Sequence, residues 1–276
     1  MEPEIRLFKT TPQGPLRAHI FAPASGRARC AVVFFVCGAW DHFHAPRHYP
    51  RSVYFRSRGA LAVVAEVRTV AHHGTTAGEC VIDGKSAVRW VRRQAGAFGV
   101  PADRVVTYGG SAAGHVALCT AMIEGAEDPA DDRTVSGAPN LVGAANPGVL
   151  PEVGPHNRDH PRVRARLEKF ADVAQHNALS PLRAVRSGLP PVLMLHGDSD
   201  TITPLADSQR FADAMTAAGN ECRLIVYPGE QHGFSAYNDR SPRFVDTVRE
   251  LDRFLVEHGF LIGEPTIDTF TCSGQT

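Results

Sequence analysis

Ser111, Asp200 and His232 stand in three separate stretches: YGGSAAGH (108–115), HGDSD (196–200) and GEQHGF (229–234). A serine hydroxyl is a weak nucleophile until a base takes its proton, and an imidazole base needs a carboxylate to hold it in place. Serine, then aspartate, then histidine is one chain order in which these three roles are filled. The chemistry would be attack on a carbonyl carbon, with Ser111 as nucleophile, His232 as base and Asp200 as the orienting acid. Asp198 competes for the acid role. Asp200 is preferred because the short loop after it leads into Thr203-Pro204 and the next helix candidate.

A serine ahead of a helix is usually only an N-cap. Ser111, however, sits in Gly109-Gly110-Ser111-Ala112-Ala113, between the strand-like run RVVTY (104–108) and a helix candidate over 112–123. So tight a strand-to-helix turn strains the serine, and residues two positions away must be small for strand and helix to approach each other. The motif is G-x-S-x-A, and the extra methyl of Ala113 is tolerable if its φ is negative. His115, one turn later, is read as a packing residue rather than the base. The developing oxyanion needs backbone N–H donors. Ala112 would be one, and Gly38 and Ala39, in the loop after CAVVFFV (30–36), are candidates for the other. Trp40, His42, His44 and Phe234 are candidate pocket residues.

These residues need a sheet to position them. CAVVFFV and LAVVAEV (61–67) read as strands buried on both faces. EIRLF and LRAHIFA before them are shorter candidates. Helices are expected near 47–58 and over 77–98, the latter with Val81, Val88, Val91 and Ala95 as its stripe and Gly99 as its end. NLVGAA (140–145), VLMLH (192–196) and RLIVY (223–227) complete the strands. Helices are expected over 205–218 and from Ser241-Pro242 onward, the last burying Phe244, Val248, Leu251 and Leu255. Strand-then-helix order means an α/β fold: a mostly parallel central sheet with helices on both faces. Asp200 and His232 then follow strand ends on the same sheet edge as Ser111. The irregular stretch 147–190 could hold a short helix around 162–175 and act as a small cap or lid. No linker divides the chain, so 1–276 is expected to form one domain, with a tail over 264–276.

Lys+Arg and Asp+Glu both total 29 in the 276 residues, so the formal net charge is zero. With no dense basic stretch, neither nucleic acid nor an anionic membrane is expected as the main partner. No apolar run reaches the about 18 residues of a membrane span, and the N-terminal stretch has no apolar signal region. Six cysteines without a CxxC pair suggest reduced, buried thiols, and a cytoplasmic location is expected. DHFH (41–44) and HNRDH (156–160) are His-rich but lack a convincing ligand pattern, so no metal or other cofactor is expected. The sequence is compatible with a homodimer but does not require one.

At this point the chain resembles the α/β-hydrolase superfamily. More closely, it resembles the compact acetyl esterase, lipase and xylan esterase branch near the hormone-sensitive-lipase-like enzymes. The residues behind this are YGGSAAGH, HGDSDTITP (196–204), EQHGF (230–234) and HGTTAGECVIDGKSAVRWVR (73–92), with VCGAW (36–40) where that family carries His-Gly-Gly-Gly-Trp. The resemblance runs from about residue 15 to 258. It implies Ser111, Asp200 and His232 as the triad, with Gly38, Ala39 and Ala112 around the oxyanion. Two departures matter: the loop keeps one of three glycines, and Ala113 replaces the elbow's second glycine. Only 1–29 precede the first central strand, so any cap should come from 147–190. The expectation is a serine carboxylesterase acting on a small-molecule ester of short acyl chain, such as an acetyl ester. An acyltransferase or peptidase on the same fold is one alternative. A non-catalytic ligand-binding protein, suggested by the eroded loop, is another.

Overall fold

In a computed structural model, which describes residues 2–24, 27–155, 157–237 and 242–270, one eight-stranded sheet organises the chain. The strands are β1 (Glu4–Thr11), β2 (Gly14–Phe21), β3 (Ala31–Phe35), β4 (Leu61–Ala65), β5 (Val105–Gly110), β6 (Leu141–Ala145), β7 (Val192–Gly197) and β8 (Cys222–Tyr227). Their order is β1-β2-β4-β3-β5-β6-β7-β8. The β1–β2 and β2–β4 pairings are antiparallel, and every other pairing is parallel. This is the α/β-hydrolase fold.

The helices are α1 (Tyr49–Ser57), α2 (Val70–His73), α3 (Ala77–Phe98), α4 (Ala112–Met122), α5 (Pro161–Leu167), α6 (Val173–Ala178), α7 (Leu205–Ala217) and α8 (Pro242–Glu257). Strand residues alternate between two cores, as the period of two demands. Val33 and Phe35 of β3 face a core shared with α3, α4 and α7, whereas Val32 and Phe34 face one shared with α1 and α8. Every residue of β3, β4 and α4 is buried, which is why those strands read as unbroken apolar runs.

The long helix α3 matches its expected span. Thr76 and Glu79 form a capping box at its start, and Gly99 ends it at φ 65°. The helix expected around 162–175 is instead two helices. The Asp172 side chain accepts the Gln175 amide at 2.7 Å, starting α6 afresh. The four-residue α2 is too short to carry a periodic signal. Of the expected helix start at Ser241-Pro242, Ser241 lies outside the described residues, as do 271–276 of the tail. The described part of the tail is packed down, with Ile267 buried and Phe270 edge-on to Tyr54.

The 147–190 segment packs onto α4 and the loop after β3. Phe170 meets Trp40 and His115 edge-on, and the Lys169 ammonium lies 2.5 Å from an Asp41 oxygen. Among the described residues no helix is long and apolar enough to cross a membrane.

The tightest packing in the sheet centre is at Gly109, near the end of β5. A Cβ there would lie 2.3 Å from the carbonyl carbon and oxygen of Ala113 in α4. At the neighbouring Gly110 the nearest atom would be Ala145 O, at 3.8 Å. Gly109→Ala is therefore expected to cost about 1–3 kcal/mol or more by forcing strand and helix apart, while Gly110→Ala leaves stability near that of the unaltered chain. Urea denaturation of both variants checks this; equal stabilities would refute the close-approach argument.

Candidate active site

Ser111 follows β5 directly and opens α4. Its φ of 56° and ψ of −124° lie where a residue with a Cβ is strained. The turn is held by the Gly109 contact and by the Ser111 amide, which donates to Ala145 O at 2.9 Å. Ala113 is absent from the positive-φ residues, so its extra methyl costs the turn nothing. The Ser111 side chain makes no N-cap hydrogen bond; its Oγ lies 2.8 Å from His232 Nε2.

His232 Nδ1 lies 2.8 Å from Asp200 Oδ2. Donation of its proton to the carboxylate leaves the Nε2 lone pair facing the serine hydroxyl. The three residues expected from sequence to work together are thus in hydrogen-bonded contact. Two loops make this possible, one after β7 and one after β8. They meet at Gly197, where a Cβ would stand 2.1 Å from Glu230 O. The Ser199 amide adds a hydrogen bond to the same oxygen at 3.1 Å. Asp198, the competing acid, is exposed and instead accepts the Gly229 amide at 2.8 Å, tying the two loops together.

Asp200 is held by more than its histidine. Its Oδ1 accepts the amides of Ile202 and Thr203 at 2.8 and 2.9 Å, and its Oδ2 accepts the Thr203 hydroxyl at 2.9 Å. Burial alone would raise its pKa. Hydrogen bonds from His196, His232 and these backbone groups outweigh that and hold the carboxyl far below the usual carboxylate range. The buried His196 stands 3.4 Å from Asp200 Oδ2 and bonds Thr203 O at 2.8 Å, while Ser208 Oγ donates to its other nitrogen at 2.9 Å. Sequence reasoning missed His196, Thr203 and Ser208 in this supporting role. The i, i+4 spacing of His196 and Asp200 within HGDSDTITP was the available signal.

The loop after β3 carries the other expected donors. The Gly38 amide is not free, because it donates to His42 O at 2.9 Å in an isolated bridge. Ala39 is the next residue, exposed, at φ 52°, and its amide has no protein partner among the described residues. Trp40 follows at φ 59°. The loop therefore places non-glycine residues in left-handed conformations, and side-chain anchoring offsets the strain. Trp40 is buried, and its Nε1 donates to His115 Nδ1 at 3.1 Å. His115 in turn bonds Leu179 O through Nε2 at 2.8 Å, and burial lowers its pKa to about 3, so it stays neutral. The Ala112 amide lies in the first turn of α4, immediately after Ser111.

A cavity of about 340 Å³ opens over Ser111 and His232, walled by Phe35, Val36, Tyr108, Ala113 and Ile202, with Gly38 and Ala39 at its rim. Trp40, His42, His44 and Phe234 do not line it. Trp40 is turned inward to His115, His42 and His44 are exposed, and Phe234 packs on Tyr227 with ring centroids 4.9 Å apart. None of the described residues of 147–190 lines it either. Among the described residues no cluster of three His, Cys, Asp or Glu could hold a metal ion. His156 of HNRDH lies outside them, and His160 caps α5.

The BD-FAE family model matches residues 19–215. The chain belongs to the BD-FAE family, which is one of α/β-hydrolase esterases. Among similar solved structures, esterase 2 of Thermogutta terrifontis in a propionate-bound form is 35 % identical. The match covers 95 % of this chain and 97 % of that one at a TM-score of 0.87. The butyrate-bound form is 35 % identical, covering 95 % and 96 %, also at 0.87. Esterase LipQ of Mycobacterium tuberculosis is 33 % identical over 166 residues, or 56 % of this chain and 38 % of that protein. The chain spans between 38 % and 52 % of the length of the curated relatives LipQ, LipM and LipC.

Asp200 also carries a stability signature. Its folded-state pKa is depressed, so its contribution is full above the unfolded value of about 3.9 and is lost as pH falls below it. The stability gap between the unaltered chain and Asp200→Asn is therefore expected to narrow between about pH 5 and about pH 3.5. Urea denaturation at the two pH values measures it. A gap that widens over that range would contradict the assignment.

Proposed function

We propose that this chain is a metal-free serine carboxylesterase working through Ser111, His232 and Asp200 and an acyl-enzyme. The observation that carries the reading is the unbroken relay of 2.8 Å contacts from Ser111 Oγ to His232 and from His232 to Asp200. In this reading His232 Nε2 takes the hydroxyl proton as Oγ attacks the ester carbonyl carbon. Asp200, kept ionised, holds the imidazole and stabilises its charged form. The Ala39 and Ala112 amides donate to the oxygen that gains negative charge. The carbon–oxygen bond to the alcohol breaks, and His232 returns the proton to the departing alkoxide. A water then gives its proton to His232, attacks the acyl carbon and releases the acid, restoring Ser111.

Short acyl chains fit the reading. The cavity is small, and the similar esterase of T. terrifontis has been seen with propionate and with butyrate. An acetyl or comparably short ester of a small alcohol is the substrate class we favour. Among the described residues the cysteines at 30, 37, 80, 119 and 222 are unpaired, which supports a reducing compartment such as the cytoplasm.

A p-nitrophenyl ester series from acetate upward tests the proposal. The expected outcome is turnover highest on the short members. Ser111→Ala should lower it by several powers of ten, on the order of 10⁶ where such a removal has been measured on a comparable triad. Turnover that survives the substitution would exclude Ser111 as the nucleophile.

A further inference from the structure

The cavity over Ser111 is also lined by Arg47, His48 and Arg51, from the short turn Ala45–His48 and the first turn of α1. Among the described residues no aspartate or glutamate lines it. Arg51 is only 2 % exposed. Buried charges in folded proteins are normally paired with an opposite charge, yet Arg51 has no carboxylate partner among the described residues. Burial lowers its pKa most, and the groups next in weight, Tyr108 and Arg47, are not carboxylates.

What Arg51 does touch is neutral. One terminal nitrogen donates to Ser235 O and, at 3.4 Å, to Thr247 Oγ1. The guanidinium lies 5.4 Å from the Tyr108 ring centroid and 4.7 Å from that of Phe244. These contacts hold the cation in place without neutralising it. Among the described residues its buried Nε has no hydrogen-bond partner, and neither has Nδ1 of the buried His48. Burial, with Arg51 and Arg47 close by, keeps His48 neutral. The exposed Arg47 brings a second positive charge to the same cavity.

We propose that Arg51, assisted by Arg47, is a subsite for a carboxylate, and that the preferred substrate is an ester carrying one. The carboxylate would pair with Arg51 while the ester carbonyl reaches Ser111. It would pass through the reaction unchanged, as only the acyl carbon–oxygen bond is hydrolysed. This rests on the esterase reading above and narrows its substrate class. Within that class the carboxylate could sit on the acid or on the alcohol.

Two matched pairs of esters distinguish these sources. Monomethyl succinate against methyl 4-methylpentanoate places the charge on the acid, and 4-acetoxybenzoate against 4-isopropylphenyl acetate places it on the alcohol. In at least one pair, kcat/KM is expected to favour the charged member by about tenfold or more, the usual scale for a charge-assisted hydrogen bond. Arg51→Met should bring that ratio toward one, Arg51→Lys should retain part of it, and Arg47→Gln, on an exposed side chain, should lower it in part. Were Arg51 only a support for the loop bearing Ser235 and His232, Arg51→Met would slow both members of a pair alike. An unchanged ratio would therefore overturn the subsite. So would hydrolysis of the neutral members by the unaltered chain with no preference in either pair. No hydrolysis of any of the four would overturn the esterase reading, and the subsite with it.

Discussion

The site depends on one steric contact: β5 and α4 approach so closely at Gly109 and Ala113 that no side chain fits between them. That contact forces the chain to turn within a single residue, and Ser111 takes up the strain. The serine stands at the carboxyl end of a central strand, with its hydroxyl free of the helix it begins. The fully buried α4 then anchors the turn in the middle of the molecule.

A second constraint acts between loops rather than within one. The approach of Gly197 to Glu230 pulls the turns after β7 and β8 together, and Asp198 ties them with a backbone hydrogen bond. Asp200 and His232 can then share a proton across a distance their own strands would not set. The backbone and hydroxyl donors around Asp200 keep it charged despite burial, so the imidazole always faces an anion. The loop after β3 solves a similar problem differently. Without the glycines that would make left-handed turns easy, it is pinned by the Trp40 indole on His115, and the Ala39 amide has no protein partner among the described residues.

The sheet and its helices were legible in the sequence because their signals are local. Unbroken apolar runs marked β3 and β4, and the capped, striped segment 77–98 marked α3. Ser111, Asp200 and His232 were legible because each sits in a short motif beside a strand end. What escaped was set by distant contacts. Nothing in VCGAW shows that Gly38 spends its amide on His42, or that Trp40 turns inward; both follow from how the loop closes on α4. Nothing in the sequence around Arg51 marks it as buried. Only the meeting of α1 with Tyr108, Ser235 and Phe244, from three other parts of the chain, buries it at the wall of the cavity over Ser111.

The most direct test of the account is to find which side chain reacts with an electrophile that mimics the ester. The folded chain would be incubated with a fluorophosphonate, its intact mass recorded and the modified peptide mapped. The account predicts one adduct per chain, on Ser111, with His232→Ala labelled far more slowly and the urea-unfolded chain not at all. An adduct on another serine, or none on the folded chain, would contradict it.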